Sequence, residues 1–163
     1  MKNFNELLEH ELQDLYSAET QITEALPMMI QRVSNDQLRQ AFETHLKETE
    51  EQIRRLEQAC EMLGCEPEGE TCLGMQGLLE EAENLISDIE DDKLLDAALI
   101  GAAQKVEHYE IAGYGTVRTL AQLAGKQDIA QLLEQTLQEE KSTDEKLTRI
   151  ATDTVNQMAK QTM

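Results

Sequence analysis

The sequence has 163 residues, enough for one domain, 1–163, with a hydrophobic core of its own. Its 33 acidic residues against 14 basic ones give a formal charge of −19. Such a surface repels phosphate backbones and anionic lipid, so neither nucleic acid nor a membrane is expected as a partner. Two prolines, eight glycines, no Trp and 3% aromatic residues are too few for a turn-rich β protein.

The opening run MKNFNELLEHELQ has no basic segment leading into an apolar one, so a cytoplasmic location is expected. The first helical stretch is predicted over about 5–33, with Leu8, Leu12, Leu15, Ala18, Ile22, Leu26, Met29 and Val33 at steps of three and four. Pro27 lies inside it and predicts a kink or a one-turn break. Ser34-Asn35-Asp36 offers a turn and an N-cap. A second helix follows over about 36–63, with Leu38, Phe42, His45, Thr49, Ile53, Leu56 and Cys60 on one face and Gly64 as its stop. A loop with Pro67 and Gly69 leads to a short amphipathic helix, about 75–88. Long helices over about 93–124, closed by Gly125, and about 128–158 complete the chain.

The order is long, long, short, long, long. Tight turns lie inside each long pair, and a link of about thirty residues joins the pairs. That pattern predicts an all-α, ferritin-like four-helix bundle with one long crossover carrying the short extra helix. The apolar residues Leu78, Leu79, Leu85 and Ile86 of that short helix call for a covering surface, from which a homodimer is expected. Cys60, Cys65 and Cys72 are odd in number and match no common zinc spacing; they read as a helix end and a loop in a reducing compartment. A redox switch is the less favoured reading.

The informative feature is carboxylates on apolar stripes. Glu140 stands at the centre of the face made by Ile129, Leu133, Leu137, Leu147 and Ala151. Glu19 shares the stripe of Leu12, Leu15, Ile22 and Leu26, and Glu110 that of Leu99, Ala103, Val106 and Val117, with Glu107 one turn earlier. On the second helix His45, Thr49 and Gln52 face inward, with Glu48 at the stripe edge. Each lies near the middle of its helix, so an antiparallel bundle brings them to one level. Ionised carboxylates in an apolar core are costly, and like charges raise one another's pKa. A divalent cation, or two, removes that cost. In a chain with 33 acidic residues, however, any one inward Glu can be a misjudged surface residue, and the pattern alone leaves both readings open.

The strings Leu15-Tyr-Ser-Ala-Glu19, His45-Leu-Lys-Glu-Thr49, Lys105-Val-Glu-His-Tyr-Glu-Ile-Ala112-Gly-Tyr114 and Thr136-Leu-Gln-Glu-Glu140 resemble the YciE/YciF family of bacterial stress proteins over nearly the whole chain. The resemblance implies a ferritin-like, rubrerythrin-related fold, a homodimer and a dinuclear iron site. Carried over, Glu19 supplies the first helix, Glu107 and Glu110 the third, and Glu140 the fourth. The Glu-x-x-His of such sites is absent: Glu48 is followed at that spacing by Glu51, with His45 in reversed order, and Glu140 by Thr143, with Asp144 one further. The candidate metal ligands are therefore Glu19, Glu48, Glu107, Glu110 and Glu140, with His45 and Asp144 as additional candidates. His45 reads rather as a donor to Glu48 or a satisfied core histidine, and Tyr16 and Tyr109 as flanking the site. The resemblance implies iron, two ions, as the cofactor; an oxygen-rich set with at most one imidazole suits it less well and makes manganese the alternative. The expected chemistry is Fe(II) oxidation by peroxide or O₂. The alternative is a metal-free scaffold or interaction protein whose inward carboxylates are protonated or paired with Lys105 and Lys141.

Overall fold

The computed structural model describes residues 1–162. Helix α1, Phe4–Arg32, begins where the Asn3 side chain accepts the Glu6 amide. It runs through Pro27 without a break. Pro27 lies on the exposed face; the carbonyl it leaves unpaired four residues earlier is on the wetter side of the helix, while Leu26 and Met29 hold the last turns against the core. The expected one-turn break is therefore not formed.

Helix α2, Asp36–Leu63, is capped by the Asn35 side chain, which accepts from the Leu38 amide. It ends at Gly64, whose φ of 83° is the left-handed conformation that a side chain would strain. Helix α3, Leu73–Asp88, starts two residues before the predicted onset and has no side-chain cap. Helix α4, Asp92–Leu123, is capped by Asp91, which accepts from the Lys93 and Leu94 amides. Helix α5, Gln127–Ile150, is not the single element to residue 158 that the periodicity predicts. At Ala151–Val155 the backbone widens into a π-type turn, with the Asn156 amide bonded to the Ala151 carbonyl, before α6, Asn156–Lys160.

Two apolar clusters fix the arrangement of the helices. At one end Leu8 and Leu12 of α1 meet Leu56 and Cys60 of α2, Val117 and Ala121 of α4, and Ile129 and Leu133 of α5. At the other, Leu26 and Met29 meet Leu38 and Phe42, Leu95 and Leu99, and Leu147 and Ile150. Hence α1 and α5 run one way, and α2 and α4 the other. Around the bundle the order is α1, α2, α5, α4, with α2 diagonal to α4. The crossover must return from the far end of α2 to the start of α4, which excludes a tight turn between them. Helix α3 fills this return and lies on α1 and α4. Met75, Ala82 and Ile86 are buried there and Leu78 and Leu79 half-buried. The α3 stripe is thus covered by the chain's own bundle, and gives no reason of its own for a second copy.

Asp96 ties the start of α4 to the α1–α2 turn. It is buried and accepts from the Ser34 amide at 2.9 Å, the Ser34 hydroxyl at 2.6 Å and the Asn35 amide at 2.9 Å. Burying each large apolar side chain of the two clusters contributes about 1.5–3 kcal/mol. Between the clusters lies a belt that is polar.

Candidate metal centre

The belt is built from all four long helices. Glu19, Glu110 and Glu140 have no exposed surface, and Glu107 and His45 have almost none. These positions fall on the inward stripe of each helix because the 3.6-residue repeat that buries the leucines carries them inward too. Candidate ligand atoms of His45, Glu107, Glu110 and Glu140 all lie within 4.8 Å of one another. His45 Nε2 is 3.3 Å from Glu107 Oε1, a pair that spans the α2–α4 diagonal. Glu19 lies beside this group, next to Glu110, and accepts a hydrogen bond from the Tyr114 hydroxyl.

Two polar residues hold the carboxylates in place. Tyr114 on α4 fixes Glu19, and Gln52 on α2 donates to Glu140 Oε1 and, at 3.2 Å, to Glu139. Glu139 in turn takes both arms of Arg55, at 2.6 and 2.8 Å, so its charge is spent outside the group. Seven buried atoms of the group have no hydrogen-bond partner: one oxygen each of Glu19, Glu107 and Glu140, both of Glu110, and both nitrogens of His45. Leaving such atoms unmade costs about 1–3 kcal/mol each, more for charged groups. Native cores rarely tolerate this without a missing partner.

Electrostatics say the same. Burial first, and then the charge of Glu140, raise the Glu19 carboxyl to about 8. Burial and the neighbouring carboxylates also hold Glu107 and Glu110 well above the ordinary range. The Tyr114 hydroxyl is pushed far up, by burial and by Glu19, so it stays a donor. Without a cation the group holds itself together by keeping protons.

Other expected residues lie elsewhere. Glu48 is half-buried at the rim, its carboxyl raised chiefly by burial while His45 opposes the rise. His45 faces Glu107 rather than Glu48. Asp144 is turned outward to Gln104, at 2.9 Å, and to exposed His108, at 3.5 Å. Tyr16 is half-buried in the end cluster around Leu8 and Leu56. Tyr109 bonds Cys72 Sγ at 3.0 Å and Asp14 at 3.1 Å, under α3; neither tyrosine flanks the group. Tyr114 does, and its spacing of four from Glu110 is the signal that marks it. Lys105 pairs with Glu81 on the surface and Lys141 is exposed. Among the described residues no Lys or Arg pairs with Glu19, Glu107, Glu110 or Glu140. The three cysteines are free thiols, and burial raises Cys60 to about 12.

Four helices, a long crossover and a buried carboxylate–imidazole group at mid-height define a ferritin-like bundle with a candidate metal centre. The chain belongs to the family described as Domain of unknown function (DUF892), which it matches over residues 3–160. It is 48% identical over 160 residues to protein YciF of Escherichia coli K12, covering 98% of this chain and 96% of that one. The crystal structure of that E. coli stress protein superposes with a TM-score of 0.92 over 96% of this chain and 99% of its own. YcfI of Rhodopseudomonas palustris, 44% identical, gives 0.89 over 91% and 94% of the two chains. A protein of Xanthomonas campestris pv. campestris, 24% identical, shares the fold with a TM-score of 0.77 over 97% of both. The chain is a homologue of a bacterial stress protein. Among the described residues no helix is long and apolar enough to cross a membrane.

Proposed function

We propose that the chain is a metal-binding stress protein whose centre takes two transition-metal ions, iron foremost and manganese as the alternative. Glu19, His45, Glu107, Glu110 and Glu140 would hold them. One observation carries the reading: ligand atoms of His45, Glu107, Glu110 and Glu140 converge within 4.8 Å, with Glu19 beside them, and several buried oxygens and nitrogens of the group find no hydrogen-bond partner. The donor set fits, since carboxylates with one imidazole suit Fe and Mn rather than a zinc or copper site. A bound iron pair would supply redox chemistry: two Fe(II) give one electron each, so that O₂ with two protons becomes H₂O₂, or H₂O₂ with two protons becomes two waters.

The chain's own residues do the rest. Tyr114 and Gln52 orient Glu19 and Glu140, lowering the cost of ordering them when a cation arrives. Glu110 has no partner outside the carboxylate group, so both of its oxygens are available to a cation. Glu19, Glu107 and Glu110 hold protons that a cation displaces, so uptake releases protons and strengthens as pH rises toward 8. The two apolar clusters exclude water from above and below. The rival reading, a metal-free scaffold, loses the pairings with Lys105 and Lys141 and rests on carboxyls that keep their protons. Metal analysis of protein purified without chelators, with an anomalous scattering map of the same material, tests the proposal. Metal at mid-bundle supports it; protein that takes up neither Fe(II) nor Mn(II) overturns it in favour of the scaffold.

A further inference from the structure

We infer that a small apolar cavity beside His45 and Glu107 is a holding site for dioxygen, which makes O₂ rather than peroxide the oxidant of this centre. The inference rests on the metal reading above and adds to it the identity of the second reactant.

The cavity measures about 20 Å³, room for a small molecule and little more. Met29 of α1, Phe42 of α2, Leu79 of α3 and Val106 of α4 line it. Its polar contacts are His45 and Glu107, on the side of the carboxylate group. A buried water needs two to four polar partners. His45 and Glu107 alone can offer them, and both are spent once they hold a cation. The remaining wall is hydrocarbon, where water and peroxide, each with two O–H donors, would leave hydrogen bonds unmade. Dioxygen makes none worth losing and transfers readily from water to hydrocarbon. The cavity therefore favours the one candidate oxidant that is apolar, and it does so in contact with two of the proposed ligands. Leu79 is only half-buried, on the helix that lies outside the four-helix bundle.

Xenon, an apolar gas detectable by anomalous scattering, is the probe. Crystals of the Mn(II)-loaded protein under xenon pressure are expected to show an atom between Phe42, Leu79 and Val106. In Leu79→Phe, which fills the cavity from α3, that atom is expected to vanish while Mn(II) uptake stays as in wild type. The O₂ concentration needed for half-maximal Fe(II) oxidation is then expected to rise several-fold. Val106→Ile is the second filling variant if Leu79→Phe does not fold. An empty cavity in protein that takes up Mn(II) normally overturns this inference alone. So does an unchanged O₂ dependence in a variant that has lost the xenon. Failure of the wild type to take up Mn(II) overturns the metal reading, and with it the assignment of this gas site.

Discussion

Glu19→Gln separates the cost of the empty centre from its use. In the metal-free protein the Glu19 carboxyl is raised from 4.5 to about 8, first by burial and then by Glu140. A carboxyl raised on folding binds its proton more tightly in the native state. Its contribution is fully present below pH 4.5 and is lost as pH rises toward 8. The loss amounts to roughly 3 kcal/mol by pH 7 and roughly 5 kcal/mol in full, at about 1.4 kcal/mol per pH decade. Gln keeps the oxygen that accepts from Tyr114 but cannot ionise. Metal-free Glu19→Gln is therefore expected to match wild type near pH 4.5 and to exceed it by up to roughly 3 kcal/mol at pH 7. That is a rise of roughly 6–12 °C in Tm for a chain of this size. The order reverses on adding Fe(II) or Mn(II) under anaerobic conditions, because the variant has lost a ligand and gains less from binding. Thermal melts at several pH values, with and without metal, provide the measurement. A Glu19→Gln stability curve parallel to that of wild type between pH 5 and 8 would refute the electrostatic account. A wild-type melt indifferent to both metals would refute the metal reading and leave only the fold.

Tyr114→Phe removes the donor to Glu19 and is expected to cost about 1–3 kcal/mol. It should also move the Glu19 titration further up, since that hydrogen bond is the larger of two that oppose the rise; urea midpoints against pH would show both, and an unmoved profile would exclude the bond. His45→Ala is expected to weaken Mn(II) uptake while the helical circular dichroism is retained; equal uptake would remove His45 from the proposed ligand set. Asp96→Ala breaks three hydrogen bonds at the α1–α2 turn and is expected to destabilise by about 2–4 kcal/mol. Hydrogen exchange at the Ser34 and Asn35 amides should quicken in that variant, and unchanged protection would show the turn to be held by something else.

Much of this was legible in the sequence because it is written in one dimension. The 3.6-residue repeat put Glu19, Glu110 and Glu140 on apolar stripes, and Asn35, Gly64 and Gly125 mark helix ends by local chemistry alone. What was not legible depends on which helix faces which. That His45 meets Glu107, and not its own neighbour Glu48, requires the diagonal placement of α2 and α4. That Tyr114 meets Glu19 depends on the height of Glu19 on α1 relative to α4. The tolerance of Pro27 follows from the side of α1 it occupies, and the use of the α3 stripe from where the crossover lies. The π-type widening at Ala151–Val155 has no signal in the residues that we can identify.

The belt draws on both ends of the chain's length, and that sets when the centre can exist. Glu19 belongs to the first and Glu140 to the last of the four long helices in chain order. A nascent α1–α2 hairpin can bury Leu12 against Leu56, yet it offers a cation little more than Glu19, His45 and Glu48. Three of the four residues whose ligand atoms converge come from the second hairpin. Domains form as their residues emerge, the N-terminal parts first. The candidate centre can therefore assemble only when translation of α5 is complete.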